Sequence, residues 1–219
     1  MRKVFQAELQ SIGDELVQMS QLVAHAMERA YASFEAADTE VAQEVIAADA
    51  RIDFLQNQLD ERAIDVLALQ GPVASDLRMI VGSLRMSASL ERMGDLARHI
   101  AQLARLRFPQ NVVPESLAPV FREMAQTDIE IAHKLGELLV TRDLKIAQEI
   151  IRLNAHIDEL HLSVFKTVAE PDWKESAPTT ADVTLASRFL ERYGDHGVSV
   201  ARKVNYLVTG EWDPQYTEV

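Results

Sequence analysis

The chain has 219 residues but only 8 Gly and 7 Pro, too few turn formers for a sandwich or barrel built on many tight hairpins. Its 22 Lys and Arg stand against 34 Asp and Glu, a net charge of −12. That charge repels a phosphate backbone and an anionic membrane surface alike, so neither nucleic acid nor direct membrane insertion is expected. The absence of Cys excludes disulfides, thiolate metal sites and Cys nucleophiles, and suits a reducing compartment.

The apolar spacing is helical from the start. Met1 to Phe5 leads straight into the pattern, with no signal-peptide stretch. Leu9, Ile12, Leu16, Met19 and Val23 step by three and four residues, which predicts a first helix over 4–35. Asp38 is placed to cap a second helix over 38–69. Gly71-Pro72 stops it, and Pro72 suits the first turn of a third helix over 73–106. Pro109, Pro114 and Pro119 mark a linker at mid-chain, followed by a fourth helix over 116–140. Thr141-Arg142-Asp143 separates it from a fifth over 143–169, whose seam is Ile146, Ile150, Leu153, Ile157, Leu160 and Val164. Pro171 through Pro178 forms the last loop before a sixth helix over 179–209. No run of about 18 apolar residues occurs, and a cytoplasmic location is expected.

The two halves repeat each other. Asp38-Thr-Glu-Val-Ala-Gln-Glu-Val-Ile returns as Asp143-Leu-Lys-Ile-Ala-Gln-Glu-Ile-Ile, an offset of 105. Leu90-Glu-Arg-Met-Gly-Asp95 returns as Leu190-Glu-Arg-Tyr-Gly-Asp195, an offset of 100. The expected fold is therefore all-α, two tandem duplicated three-helix bundles over 1–109 and 115–219.

Within the repeat, acids recur four residues apart, on one face of a helix. Asp49 and Asp53 fall on helix two, and Glu91 and Asp95 on helix three. Their counterparts are Asn154 and Asp158 on helix five, and Glu191 and Asp195 on helix six. Facing pairs of this kind bring several like charges together and call for a cation among them. Hard metal ions accept such oxygen ligands. Glu91 and Asp95 also continue an apolar row, Leu77, Val81, Leu84 and Ala88, which places them toward the core. Solvation of the acids, or neutralisation by Arg92 and Arg192, answers the same pattern, and periodicity alone leaves these open. Gly94 and Gly194, inside helices, permit close approach of a neighbouring helix or of a ligand. His99 can extend the Glu91 and Asp95 stripe, while Met19, Met27, Met79, Met86 and Met93 read as core filler. Phosphate-binding loops, nucleophile elbows, His-Glu-x-x-His and Glu-x-x-His signatures are all missing, so no enzyme activity is expected. A metal-storage protein or a metal-dependent carboxylate-bridged enzyme using the same acids is the alternative.

Gln70-Gly-Pro-Val-Ala-Ser-Asp-Leu-Arg78, followed by Leu90-Glu-Arg-Met-Gly-Asp95 and Leu190-Glu-Arg-Tyr-Gly-Asp-His196, resembles the PhoU family of bacterial phosphate-uptake regulators. The resemblance spans nearly the whole chain. It implies two three-helix bundles and a non-enzymatic, negative regulatory role in phosphate uptake and phosphate-starvation signalling. It implies contact with a sensor histidine kinase and with the ATPase of the phosphate transporter, and a homodimer. It also implies metal ions (Mg, Mn, Fe or Zn) at Asp49, Asp53, Glu91 and Asp95, and at Asn154, Asp158, Glu191 and Asp195. Asn154 stands where the motif has an acid, so the second site is expected to bind its metal more weakly or differently. His99 and Ser199 replace the Asn common in the family, and Pro178-Thr-Thr-Ala-Asp-Val lacks the first half's Pro-Val-Ala-x-Asp-Leu-Arg element.

Overall fold

The structure, a computed structural model, describes residues 2–211, with side chains from residue 4 onward. Met1 and residues 212–219, which the sequence reading includes in the first and second repeats, lie outside the described residues. Six helices follow in order: α1 (Arg2–Ala36), α2 (Thr39–Gln70), α3 (Ala74–Arg107), α4 (Ala118–Thr141), α5 (Leu144–Ala169) and α6 (Ala177–Thr209). Among the described residues there is no strand.

The boundaries have local causes. Asp38 is extended and accepts from the backbone N–H groups of Glu40 and Val41 at 3.0 and 3.1 Å, satisfying two donors that the first turn of α2 leaves free. Asp143 and Ser176 do the same for α5 and α6, accepting from Lys145 and Thr179 at 2.9 and 3.2 Å. The helices α2 and α6 end on Gly71 and Gly210 at φ of 54° and 78°, a left-handed geometry that costs Gly little. One detail departs from expectation. Pro72 stands before Val73, the cap of α3, rather than in the first turn, whereas Pro119 and Pro178 lie in the first turns of α4 and α6.

The first three helices pack on one another, and so do the last three. The two sets meet through α1 on α4 and α3 on α6, which leaves α2 and α5 as the outer helices. Leu16, Met19, Val23 and Met27 of α1 and Phe121, Met124, Ile131 and Leu135 of α4 are removed from solvent, and one apolar cluster runs through both halves. Each such side chain contributes roughly 1.5–3 kcal/mol, which keeps rods roughly 35–50 Å long side by side. The row expected to face the core on α3 does not: Leu77 and Val81 are 40% and 39% exposed. The buried positions are instead Ile80, Met86, Leu90, Met93, Ala97 and Ile100. Because α3 packs against α1, α2 and α6 at once, its buried arc is wide, and the Leu77 row lies at the edge of it. No helix is long and apolar enough to cross a membrane.

Candidate functional site

In the first half, α2 and α3 bring Asp49 and Asp95 to either side of one guanidinium. Arg98 Nε lies 2.6 Å from Asp49 Oδ2, and Arg98 Nη2 donates to Asp95 Oδ1. Arg92 adds a second cation, donating from Nη1 to Asp95 Oδ2 at 2.9 Å, with its Nε 3.5 Å from Glu91. Asp53 is exposed. Burial pushes the Asp49 carboxyl up against the pull of Arg98. Burial also raises Glu91, with help from Asp95 and against Arg92. At Asp95 burial acts upward too, but the Arg98 hydrogen bond and the Arg98 and Arg92 charges outweigh it, and the group sits below its ordinary value.

The second half is built differently. Asp158 of α5 and Glu191 and Asp195 of α6 offer three carboxylate oxygens that all lie within 4.8 Å of one another, the one such trio of His, Asp or Glu among the described residues. Asn154 donates from Nδ2 to Asp195 Oδ1 at 3.2 Å, so it joins the cluster and orients one of its acids. Among the described residues its ion-pair partner is Arg188, half exposed, which donates to Glu191 Oε1 at 2.5 Å. Asp158 is raised by burial and by Asp195, and Glu191 by burial, Asp195 and Asp158, each partly relieved by Arg188.

Behind this trio, on α4, stands Asp128. It is 0% exposed, and neither carboxylate oxygen has a hydrogen-bond partner. Burial drives it well above the ordinary carboxylate range, and the charges of Asp195 and Glu191 add to this. Gly194 is where α4, α5 and α6 meet: a methyl group there would run into Asn154 Oδ1 and would lie 3.3 Å from Asp128 Oδ1. At the equivalent Gly94, a methyl would lie 2.8 Å from Ile52 Cδ1 and 3.3 Å from Asp49 Oδ1. The two glycines thus admit close contact between helices and leave the carboxylates their space.

The residues fit a hard cation in the second half. Asp128, Asn154 Oδ1 and Glu191 Oε2 are buried oxygens without partners, which is costly unless a positive charge or donor meets them. An all-oxygen donor set suits Mg, Mn or Fe better than Zn. In the first half Arg98 already meets both inward acids.

Sequence reasoning missed Asp128 and Arg98. Asp128 interrupts the α4 row Phe121, Met124, Ile131, Leu135 and Leu138, all buried, and a carboxylate on such a row was a readable signal. Of the histidines, His99 packs against Phe189 with ring centroids 5.0 Å apart and its buried Nδ1 has no hydrogen-bond partner among the described residues, and His161 Nδ1 is 3.0 Å from Ser187 Oγ. Met19, Met27, Met86 and Met93 are in the core, while Met79 is only half-buried.

The chain matches the family model described as the PhoU domain twice, over residues 16–104 and 121–204. It is 38% identical over 210 residues to the phosphate-specific transport system accessory protein PhoU homolog 2 of Mycobacterium tuberculosis, covering 96% of this chain and 99% of the relative. It is likewise 38% identical over 212 residues to PhoU homolog 1 of Mycobacterium leprae, covering 97% and 96%. The crystal structure of PhoU from Pseudomonas aeruginosa superposes with a TM-score of 0.86 at 26% identity, over 94% of this chain and 100% of the other. The structure of the phosphate transport system regulatory protein PhoU from Streptococcus pneumoniae gives 0.85 at 24% identity, over 95% and 99%, and bears on the fold alone.

Proposed function

Since the chain belongs to the PhoU family, we propose that it is an accessory regulator of a phosphate transport system, acting in the cytoplasm as a helical adaptor that restrains phosphate uptake and starvation signalling when phosphate is plentiful. Its partners are the transporter ATPase and a sensor histidine kinase, its working form is a homodimer, and its role is non-enzymatic. The observation that carries this reading is that both domain matches together span most of the chain, with relatives similar end to end that bear the name of accessory protein.

The acidic clusters give the adaptor a physical anchor. A divalent or trivalent cation held there would supply the positive charge that the converging carboxylates of α5 and α6 lack. Asp158, Glu191 and Asp195 would hold it, and Asn154 keeps Asp195 in place. The net −12 of the chain favours basic partner surfaces and speeds association at low salt.

The test is affinity capture from cells grown in high and in low phosphate. The transporter ATPase and the kinase are expected to co-purify with the chain in high phosphate. A capture that stays empty of both in both media would overturn the reading.

A further inference from the structure

The duplicated frame lets each position of one half be compared with its partner in the other. With the offset of 105 that aligns Asp38 with Asp143, Asp128 falls on Val23 and Asn154 on Asp49. With the offset of 100 that aligns Asp95 with Asp195, Arg98 falls on Val198. The side chains differ at both positions: Val23 and Val198 are buried apolar residues, while Asp128 is a fully buried carboxyl and Arg98 pairs with Asp49 and Asp95. The carboxylate withheld by Asn154 on α5 is therefore returned by Asp128 from α4. It comes from the other side of the same glycine: Asn154 Oδ1 keeps the place of Asp49 against Gly194, and Asp128 Oδ1 lies 3.3 Å from a methyl built there. Among the described residues of the second half no guanidinium takes the place of the one that bridges Asp49 and Asp95.

From this exchange we infer that metal uptake is confined to the second half, where Asp128 is the buried fourth carboxylate of the site, and that Arg98 fills the first half as a built-in cation. The inference rests on the metal reading given above and adds to it which half is loaded and which two residues decide that. In the second half Asp158, Glu191 and Asp195 converge within 4.8 Å of one another, half-exposed Arg188 pairs with Glu191, and Asp128 stands buried and unpartnered on the inner side of Gly194. In the first half the guanidinium of Arg98 sits between Asp49 and Asp95, where an ion bridging α2 and α3 would have to sit. An arginine cannot give up its charge to admit a metal, so displacement of the whole side chain is required. On this inference the second site is not the weaker one that Asn154 alone implies, because Asp128 offers a further carboxyl from a position that water does not reach.

The experiment is calorimetric titration of Mn²⁺ into the chelator-stripped full chain, with Mn content after desalting as a second readout and circular dichroism as the check on folding. The wild type is expected to take up Mn²⁺ in the second half only, so that Glu91→Gln/Asp95→Asn leaves stoichiometry unchanged while Glu191→Gln/Asp195→Asn abolishes uptake. Asp128→Asn, which keeps shape and removes charge, is expected to weaken binding about tenfold to a hundredfold. Arg98→Met is expected to add a second uptake event that disappears again when Asp95→Asn is introduced, whereas Arg98→Lys adds none. Wild-type affinity in Asp128→Asn, or loss of bound Mn in Glu91→Gln/Asp95→Asn, overturns the inference with the metal reading intact. A wild type and variants that all fail to bind Mn²⁺, Fe²⁺ or Mg²⁺ overturn the metal reading itself and the inference with it.

Discussion

Tyr193 of α6 donates its hydroxyl to the backbone carbonyl of Val23 on α1, 3.2 Å away, in a part of the core that water does not reach. The bond crosses from the second half to the first and lands on the residue whose counterpart in the repeat is Asp128. Burial holds the phenol well above its ordinary value, with Asp128 adding to the effect, so the hydroxyl stays a donor. Tyr193→Phe removes the donor and leaves the carbonyl in its helical bond. Thermal unfolding should show a loss of about 1 kcal/mol, roughly 2–4 °C for a chain of this size. An unchanged midpoint would mean that this bond does not help join the halves.

Two glycines make opposite predictions. Gly13 lies within α1, and a methyl added there meets nothing within 4 Å. Gly13→Ala should therefore stabilise by roughly 0.5–1 kcal/mol, the conformational entropy that glycine gives up in a helix. At Gly194 the same methyl meets Asn154 Oδ1 and lies 3.1 Å from Ile157 Cδ1. Gly194→Ala should destabilise by about 1–3 kcal/mol, and by moving Asn154 it should loosen Asp195 as well. Chemical denaturation of both variants checks the contrast, and a stabilised Gly194→Ala would contradict the packing described.

The outer helix α5 carries a pH response through His161. His161 of α5 is lowered from its ordinary value by burial and by Arg188, against the pull of Asp195. A histidine held below its unfolded pKa contributes stability that is present above about 6.5 and is lost as pH falls through the folded value. His161→Gln removes the titrating group, so the wild type should lose melting temperature relative to the variant between pH 7 and pH 5. A difference that stays constant across this interval would count against the burial of His161.

How much of this was legible in the sequence follows from what each signal depends on. Helix ends are readable where Asp38, Gly71 and Asp143 act on backbone groups within a few residues. The duplication was readable because whole segments recur. The Leu77 row was misplaced because a period of 3.6 gives the spacing of a buried face but not its centre, and α3 has three neighbours. The carboxylates of the repeat were readable as a pattern, and the structure brings Asp158, Glu191 and Asp195 together while dividing Asp49 and Asp95 around Arg98. That division was hidden, because Arg98 acts across α2 and α3. Asp128 was hidden for a different reason: it lies on α4, outside the recurring pairs, and only its place on an apolar row marked it.

The asymmetry between halves is tested most directly by anomalous diffraction from a crystal of the full chain soaked in Mn²⁺. A peak is expected among Asp158, Glu191 and Asp195, with Asp128 turned toward it, and guanidinium density between Asp49 and Asp95. A peak between α2 and α3 with Arg98 swung aside, or a second-half cluster that stays without metal while the first half fills, would contradict it.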